Sequence, residues 1–189
     1  MIAAAMRRGS NVALTREIRG LTGSVIGIRW NAGAEQVLAE SLVVAAILCD
    51  ANGTAVSDEH FVFFNQLTEP TMSVQQLETA MGDDAEQIEI HFAAVPANIS
   101  RIVVVLYVNE GHGLRRSLGR LRELGVRALD LRDGRELVRS ENFAPALNAE
   151  TALSLCEVYR HNGGWKFKVT GEGYTTGISG LAADHGLAL

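Results

Sequence analysis

The clearest hydrophobic pattern lies near the end of the chain, where two apolar stretches flank a short polar turn. From Trp165 to Thr170, apolar residues alternate with lysine or threonine, a period of two that is typical of a strand with one buried face. The preceding stretch, residues 152–159, is too densely apolar for a strand that is wetted on one face. Asn162 and Gly163 separate the two stretches, and Asn-Gly favours a tight turn because both residues tolerate positive φ. We therefore predict a β-hairpin, which must pack on other strands because an isolated hairpin is marginally stable in water.

Shorter stretches of the same kind recur upstream. Their apolar patterns predict strands at residues 11–14, 23–30, 61–64, 87–92, 101–108 and 136–141. The run from Leu42 to Cys49 is apolar throughout and fits a buried strand or a helix by pattern alone. Turn residues at 50–53 favour the strand. Residues 31–36 and 68–84 are predicted to be loops, and residues 178–187 a short helix that ends at Gly186.

The segment from residue 114 to residue 131 carries two conflicting patterns. Its first part has leucines at helical spacing, at positions 114, 118, 121 and 124, whereas residues 126–131 alternate as a strand does. Gly119 and Gly125 interrupt both patterns. Periodicity alone leaves helix and strand open here.

Short strands at turn-punctuated intervals, with almost no long helix, predict an all-β sandwich. The chain has 189 residues, of which 47% are hydrophobic, which is enough for one core and too little for two. In residues 1–8 the charges follow the apolar residues, the reverse of a signal peptide, so we assign 1–8 to a flexible N-terminus and 9–189 to a single domain. The aromatic residues expected in the core between the sheets are Trp30, Phe61, Phe63, Trp165 and Phe167.

Charge and cysteine content narrow the classes of function. The formal net charge of −5 gives no basic footprint for nucleic acid, and no apolar run approaches the ~20 residues that span a bilayer. We therefore expect no nucleic-acid partner and no direct membrane insertion. Cys49 and Cys156 lie in apolar strand patterns, which favours buried free thiols over the alternative, a disulfide between them. These features suit a cytoplasmic protein.

Patterns that indicate catalysis are missing from the sequence. None of the five histidines stands in a His-x-x-x-His or Glu-x-x-His pattern, and no Gly-x-Ser-x-Gly elbow is present for a hydrolase. The glycine-rich stretch at residues 171–177 lacks the Gly-Lys-Ser/Thr ending and the long following helix of a phosphate loop. We predict that the protein is not an enzyme.

Several motifs carry a family resemblance. The run Glu157-x-Tyr159-Arg160-x-Asn162-Gly163-x-Trp165-Lys166-Phe167, followed by Gly171-x-Gly173-Tyr174 and a short helix, resembles the C-terminal signature of the TerD family of tellurium-resistance and stress proteins. Matching segments lie at 9–15, 26–30, 50–53, 57–65, 95–97 and 101–106. The resemblance implies two packed antiparallel sheets with a short C-terminal helix, and a strand over residues 121–131 with a helical turn over 112–120 before it. It also implies a stress-response or tellurium-resistance protein that acts by binding.

The resemblance further implies calcium, which takes six to eight oxygen ligands at about 2.3–2.6 Å. Family members look like binders of two neighbouring calcium ions through acidic motifs. At the matching positions this chain keeps Asp83, Asp84 and Glu86 in one loop and Asn31 and Asn65 as neutral oxygens, while apolar residues occupy other ligand positions. Because calcium affinity follows the charge of the ligands, we expect calcium binding through these five residues to be weakened or lost. If it is lost, the acids are a solvated loop.

Arginines are concentrated between residues 115 and 139. The simpler interpretation is a solvated face, since acidic residues are interspersed. The alternative is a partner-binding surface for another tellurium-resistance or stress protein, or for a second copy of this chain, formed by Arg115, Arg116, Arg120 and Arg122. We therefore predict a TerD-like stress protein with weakened or lost calcium sites. The alternative is a metal-independent structural or interaction module of the same fold.

Overall fold

The computed structural model describes residues 4–109 and 116–189. The strands are β1 (Asn11–Ala13), β2 (Gly23–Asn31), β3 (Leu42–Cys49), β4 (Phe61–Val62), β5 (Val74–Gln76), β6 (Glu86–His91), β7 (Arg101–Val108), β8 (Glu123–Asp130), β9 (Glu136–Arg139), β10 (Ala152–His161) and β11 (Gly164–Tyr174). Two short helices, α1 (Gln36–Ser41) and α2 (Gly177–Asp184), complete the architecture.

The strands form two sheets, and within each sheet every pair of neighbouring strands is antiparallel. A six-stranded sheet has the order β1-β11-β10-β7-β3-β4, and a five-stranded sheet has the order β5-β6-β2-β8-β9. The predicted all-β sandwich with a short C-terminal helix is confirmed. Within the described part of the chain, no helix is both long enough and apolar enough to cross a membrane.

The predicted hairpin is β10 and β11, which are joined by the turn at Asn162 and Gly163. Both turn residues have positive φ, 49° and 77°, as the tight turn between strands of right-handed twist requires. β10 also pairs with β7, and β11 pairs with β1. The hairpin is therefore embedded in the six-stranded sheet, with a strand on each side.

The continuous apolar runs of β3 and β7 reflect burial on both faces of the six-stranded sheet. Their inward residues join Ile26 and Ile28 of β2 in the core between the sheets. Their outward residues form a second cluster under α2, where Leu181 and Ala182 cover Ile47 and Val103. α2 thus explains why no polar residue interrupts β3.

This second cluster corrects part of the predicted core. Trp165 and Phe167 are buried between the sheets, and Trp30 is partly buried against the same core. Phe61 and Phe63, however, pack in the second cluster. The prediction placed them in the wrong core because a short apolar run does not show which face of a sheet it covers.

Other elements differ from the pattern-based expectation. The predicted loop at residues 68–84 contains the edge strand β5, and α1 begins within the loop predicted at 31–36. The strand expected over 121–131 is present as β8, and a 3₁₀ turn at Leu118–Arg120 precedes it; residues 112–115 of the expected helical turn lie outside the described residues. In the segment 1–8, expected to be flexible, Met6 is hydrogen-bonded beside β9, where its N–H donates to the Arg139 carbonyl at 2.8 Å.

Candidate functional site

The acidic loop before β6 folds over the outer face of the five-stranded sheet. Its carboxylate Asp84 lies against Gly27 of β2, at a point where any side chain on residue 27 would collide with the carboxylate. The Asp84 side chain is fully buried, whereas Asp83 beside it is exposed. A glycine inside a strand often marks such a close approach.

Asp84 is held by donors from three directions. Arg127 of β8 donates from Nε to Oδ1 at 2.9 Å and from Nη2 to Oδ2 at 3.0 Å. Gln87 of β6 donates from Nε2 to Oδ2 at 2.8 Å, and the Arg29 guanidinium of β2 lies 3.9 Å from Oδ1. The contact of Arg127 with Asp84 is bidentate, which is the strong form of a charge-assisted hydrogen bond. Both oxygens of Asp84 are therefore already engaged.

Arg127 extends the same network to the edge strand β9. Its Nη1 donates to Glu136 at 3.2 Å, and Glu136 also accepts from Arg139. Burial alone would lower the pKa of Arg127, but the hydrogen bonds from Arg127 to Asp84 and Glu136 outweigh it and raise that pKa. The hydrogen bond from Arg139 is the main reason that the pKa of Glu136 is lowered. Arg127 and Glu136 are thus held in their charged forms.

Glu86 lies on the other face of the sheet. In the antiparallel register it stands opposite Ile28, whose side chain is in the core, and residues directly opposite each other share a face. Gln76 donates to its Oε2 at 3.2 Å. Asp84 lies over Gly27, on the outer face. Asp84 and Glu86 therefore cannot converge on one ion in this arrangement.

The two predicted neutral ligands, Asn31 and Asn65, lie at the end of β2 and in the loop after β4. Asn31 closes a local turn by accepting the Gly33 N–H on Oδ1 at 2.7 Å. Asn65 is an exposed residue after β4, an edge strand of the six-stranded sheet. Among residues 4–109 and 116–189, no group of three or more acidic, histidine or cysteine side chains could hold a metal ion. The residues present do not fit the predicted calcium site.

The predicted partner-binding arginines are largely engaged within the chain. Arg116 and Arg120 both donate from Nη1 to Glu35, just before α1, at 2.6 Å and 2.9 Å. Arg122 is exposed and lies against Gly33, and Arg115 lies outside the described residues. We define Arg116, Arg120 and Arg122 as the arginine surface. Glu35 neutralises part of its charge.

A shallow cavity of about 200 Å³ lies beside the Asp84 network, between Gly27, Gly125 and Asn142. The alternation of apolar and polar residues does not indicate this cavity, although Arg127 and Arg139, which line it, fall within the concentration of arginines between residues 115 and 139. Gly27 and Gly125 could have indicated the cavity from the sequence, because glycines within strands leave space or admit a neighbouring group. The pairing of Asp84 with Arg127 had no local signal, since 43 positions separate the two residues.

Comparisons with known proteins agree with the fold. The family model described as the TerD domain matches residues 2–185. The tellurium resistance protein TerD of Serratia marcescens is 30% identical over 186 residues, which cover 96% of each chain. General stress protein 16U of Bacillus subtilis is 33% identical over 190 residues, again covering 96% of each chain.

A solved structure from Streptomyces coelicolor, described as a homologue of telluride resistance protein (TerD), superposes with a TM-score of 0.66 at 18% identity. It covers 90% of this chain and 100% of its own, which supports the same two-sheet fold. The family model, the relatives and the shared fold together show that this chain belongs to the TerD family.

Proposed function

We propose that this protein takes part in tellurium resistance or a related stress response by binding a partner in the cytoplasm, without catalysis and without dependence on calcium. The names of its relatives supply the biological setting, since they include a tellurium resistance protein and a general stress protein. The two buried, free thiols, Cys49 and Cys156, are consistent with a reducing compartment.

The engagement of Asp84 is the observation that carries the proposal. A calcium ion at this carboxylate would replace the hydrogen bonds from Arg127 and Gln87. It would also stand next to two guanidinium groups, because Arg29 lies 3.9 Å from the same carboxylate. Repulsion between like charges is strong where the surroundings exclude water. The arginine thus occupies the place of the cation.

The weak calcium binding that the family resemblance implies is a competing prediction. It requires Asp84 to release Arg127 and combine with the exposed Asp83 and neutral oxygens. Glu86, on the opposite face of β6, would contribute only after a rearrangement of the strand. Such a site would have few charged ligands, and calcium affinity falls with ligand charge.

Thermal melting distinguishes the two possibilities. We expect the same Tm in millimolar calcium chloride, in magnesium chloride at equal ionic strength, and in a chelator. Asp83→Asn serves as the matched control, because it removes the exposed neighbouring charge and leaves the Asp84 network intact. A Tm that rises with calcium but not with magnesium, and that loses this rise in Asp84→Asn, would contradict the proposal.

The partner surface we propose is the arginine surface of Arg116, Arg120 and Arg122. A partner with acidic side chains would compete with Glu35 for the first two arginines, so binding would be sensitive to salt. In a tellurium-sensitive bacterial strain, expression of the chain should restore growth on tellurite, and Arg120→Glu should reduce this effect at equal protein level. Equal growth with both forms would remove the arginine surface from the proposal.

A further inference from the structure

A second, larger cavity lies beside the turn between β10 and β11, within the motif that carries the family resemblance. Its volume is about 420 Å³, and its walls are the turn itself and the residues that follow β1. Three of the lining residues can carry positive charge: Arg16, His161 and Lys166. Among the described residues, no acidic side chain lines it. The cavity is therefore electropositive.

In the described part of the chain, Arg16 and Lys166 differ from the arginines described above in their lack of a carboxylate partner. Within residues 4–109 and 116–189, neither Arg16 nor Lys166 has a carboxylate oxygen within 4.0 Å. In the sheet, Lys166 stands between Ala13 of β1 and Tyr159 of β10, neither of which is acidic. The carboxylate nearest along β10, Glu157, stands opposite Lys168 and pairs with Arg101 at 3.6 Å.

Neutral donors surround the same space. Thr15 accepts the Trp165 N–H on Oγ1 at 2.9 Å, which leaves the hydroxyl hydrogen free to donate. The positive φ angles of Asn162 and Gly163 keep these turn residues out of the β10–β11 ladder, and neither N–H donates to another group in the described part of the chain. Backbone N–H groups and hydroxyls complete anion sites in proteins because they donate without carrying a competing negative charge.

One wall of this cavity, Trp165, is tightly packed. The Trp165 ring stacks on Phe92, with centroids 5.2 Å apart, and carries the Arg160 guanidinium at 4.5 Å on its face. Arg160 in turn donates to the carbonyls of Ile99 and Val95, each at 2.8 Å. This packing fixes the residue whose N–H binds Thr15 Oγ1. Ligand-binding groups that are fixed before binding lower the entropy cost of holding a ligand.

We propose that the cavity beside the β10–β11 turn binds an oxyanion of the phosphate class, free or as the phosphate group of a small molecule. Arg16 and Lys166 supply the charge, and Thr15 and the turn supply neutral donors. A volume of about 420 Å³ leaves room for a small organic group beside the anion. This site lies apart from Asp84 and the arginine surface, so the proposal stands independently of the proposed function.

Isothermal titration calorimetry with inorganic phosphate, at an ionic strength held constant with chloride, tests this site. We expect Arg16→Gln and Lys166→Gln each to weaken phosphate binding at least about tenfold. A tenfold loss corresponds to about 1.4 kcal/mol, close to the smallest contribution of a hydrogen bond to a charged group. Lys168→Gln is the matched control, because Lys168 lies on the same strand and face but opposite Glu157. It should leave the affinity unchanged. Circular dichroism of each variant checks that the fold is retained.

A parallel titration with a sugar phosphate distinguishes the two sources of the anion. Tighter binding of the ester than of phosphate, with the same loss in Lys166→Gln, assigns the site to a phosphorylated small molecule. Equal or weaker binding of the ester assigns it to the free oxyanion. The absence of binding heat with either ligand would overturn the proposal. Equal losses of affinity in Lys166→Gln and Lys168→Gln would overturn it as well, since they would indicate a non-specific attraction to positive surface charge.

Discussion

At the scale of single residues, Asp84 occupies a position that the family resemblance assigns to a metal ligand, and its buried carboxylate accepts from Arg127 and Gln87. We expect Asp84→Asn to lower the free energy of unfolding by about 3 kcal/mol, because it leaves Arg127 partly buried without its full counter-charge. Asp83→Asn, at the exposed neighbouring position, should change it by less than about 0.5 kcal/mol. Chemical denaturation compares the two, and equal values would mean that the Asp84–Arg127 pair contributes nothing.

Glu69 makes the stability of the fold depend on pH. Burial alone would raise the pKa of Glu69, but hydrogen bonds from Thr71 and Ser73 outweigh it and hold the pKa below its ordinary 4.5. Because the folded pKa is the lower one, ionised Glu69 stabilises the fold above the unfolded pKa. That stabilisation is lost as the pH falls through the folded pKa.

We therefore expect Glu69→Gln to be less stable than wild type by about 2 kcal/mol at neutral pH, because five hydrogen bonds reach the two carboxylate oxygens. The difference should shrink as the pH falls below 4.5. Denaturation curves at a series of pH values measure it. Glu78→Gln, at an exposed position of the following loop, provides the control, and a difference that does not vary with pH would contradict this role.

The thiols of Cys49 and Cys156 should be unreactive in the folded protein. Burial raises the pKa of Cys49 to about 12 and the pKa of Cys156 well above its ordinary value. Since the thiolate is the reactive form, we expect iodoacetamide to modify neither residue at neutral pH and both in denaturant. Intact-mass spectrometry counts the adducts, and rapid modification of the native protein would show that one thiol is accessible.

At the scale of elements, the junction of β1 with the hairpin depends on one close approach. A side chain at Gly164 would bring its Cβ within 2.6 Å of Thr15 Oγ1, which is already bound to the Trp165 N–H. We expect Gly164→Ala to destabilise the fold by about 2 kcal/mol, and by clearly less in a Thr15→Ala background. This non-additivity is the signature of residues in contact.

A matched glycine controls for the effect of alanine in a strand. A Cβ at Gly125 of β8 would find only Ser140 Oγ within 4 Å, at 3.6 Å, which is ordinary contact. Gly125→Ala should therefore leave stability unchanged or raise it slightly. Thermal unfolding of the wild type, Gly164→Ala, Thr15→Ala and the double variant gives the double-mutant cycle, and Gly125→Ala is measured beside them. If Gly164→Ala costs the same with and without Thr15, the close approach does not matter.

At the scale of the whole molecule, the proposed role of the arginine surface in association can be tested through its internal partner, Glu35. Because Glu35 neutralises Arg116 and Arg120 within the chain, we expect Glu35→Gln to strengthen association by freeing both arginines. Salt should weaken it, since exposed charge pairs are screened. Size-exclusion chromatography with light scattering measures both effects. A monomer that is insensitive to salt, to Glu35→Gln and to Arg120→Glu would leave this region as ordinary solvated surface.

The sequence alone determined the fold class and the family. Alternation from Trp165 to Thr170, the turn at Asn162 and Gly163, and the apolar run of β3 all depend on neighbours within about ten positions. Such local patterns predict strands because the side-chain period of a strand is two whatever it pairs with. The same residues, at their fixed spacing, carried the family resemblance.

Only the tertiary structure decided which groups meet. Phe61 belongs to the cluster under α2 and not to the core between the sheets, because its register on β3 places it opposite the outward-facing Ile47. Asp84 meets Arg127 because Gly27 of β2, which Asp84 covers, stands opposite Arg127 of β8. Glu86 faces the other way because the register of β6 on β2 places it opposite the inward-facing Ile28. Register and sheet order join residues that are distant in the chain, so the partner of each charge cannot be read from local sequence.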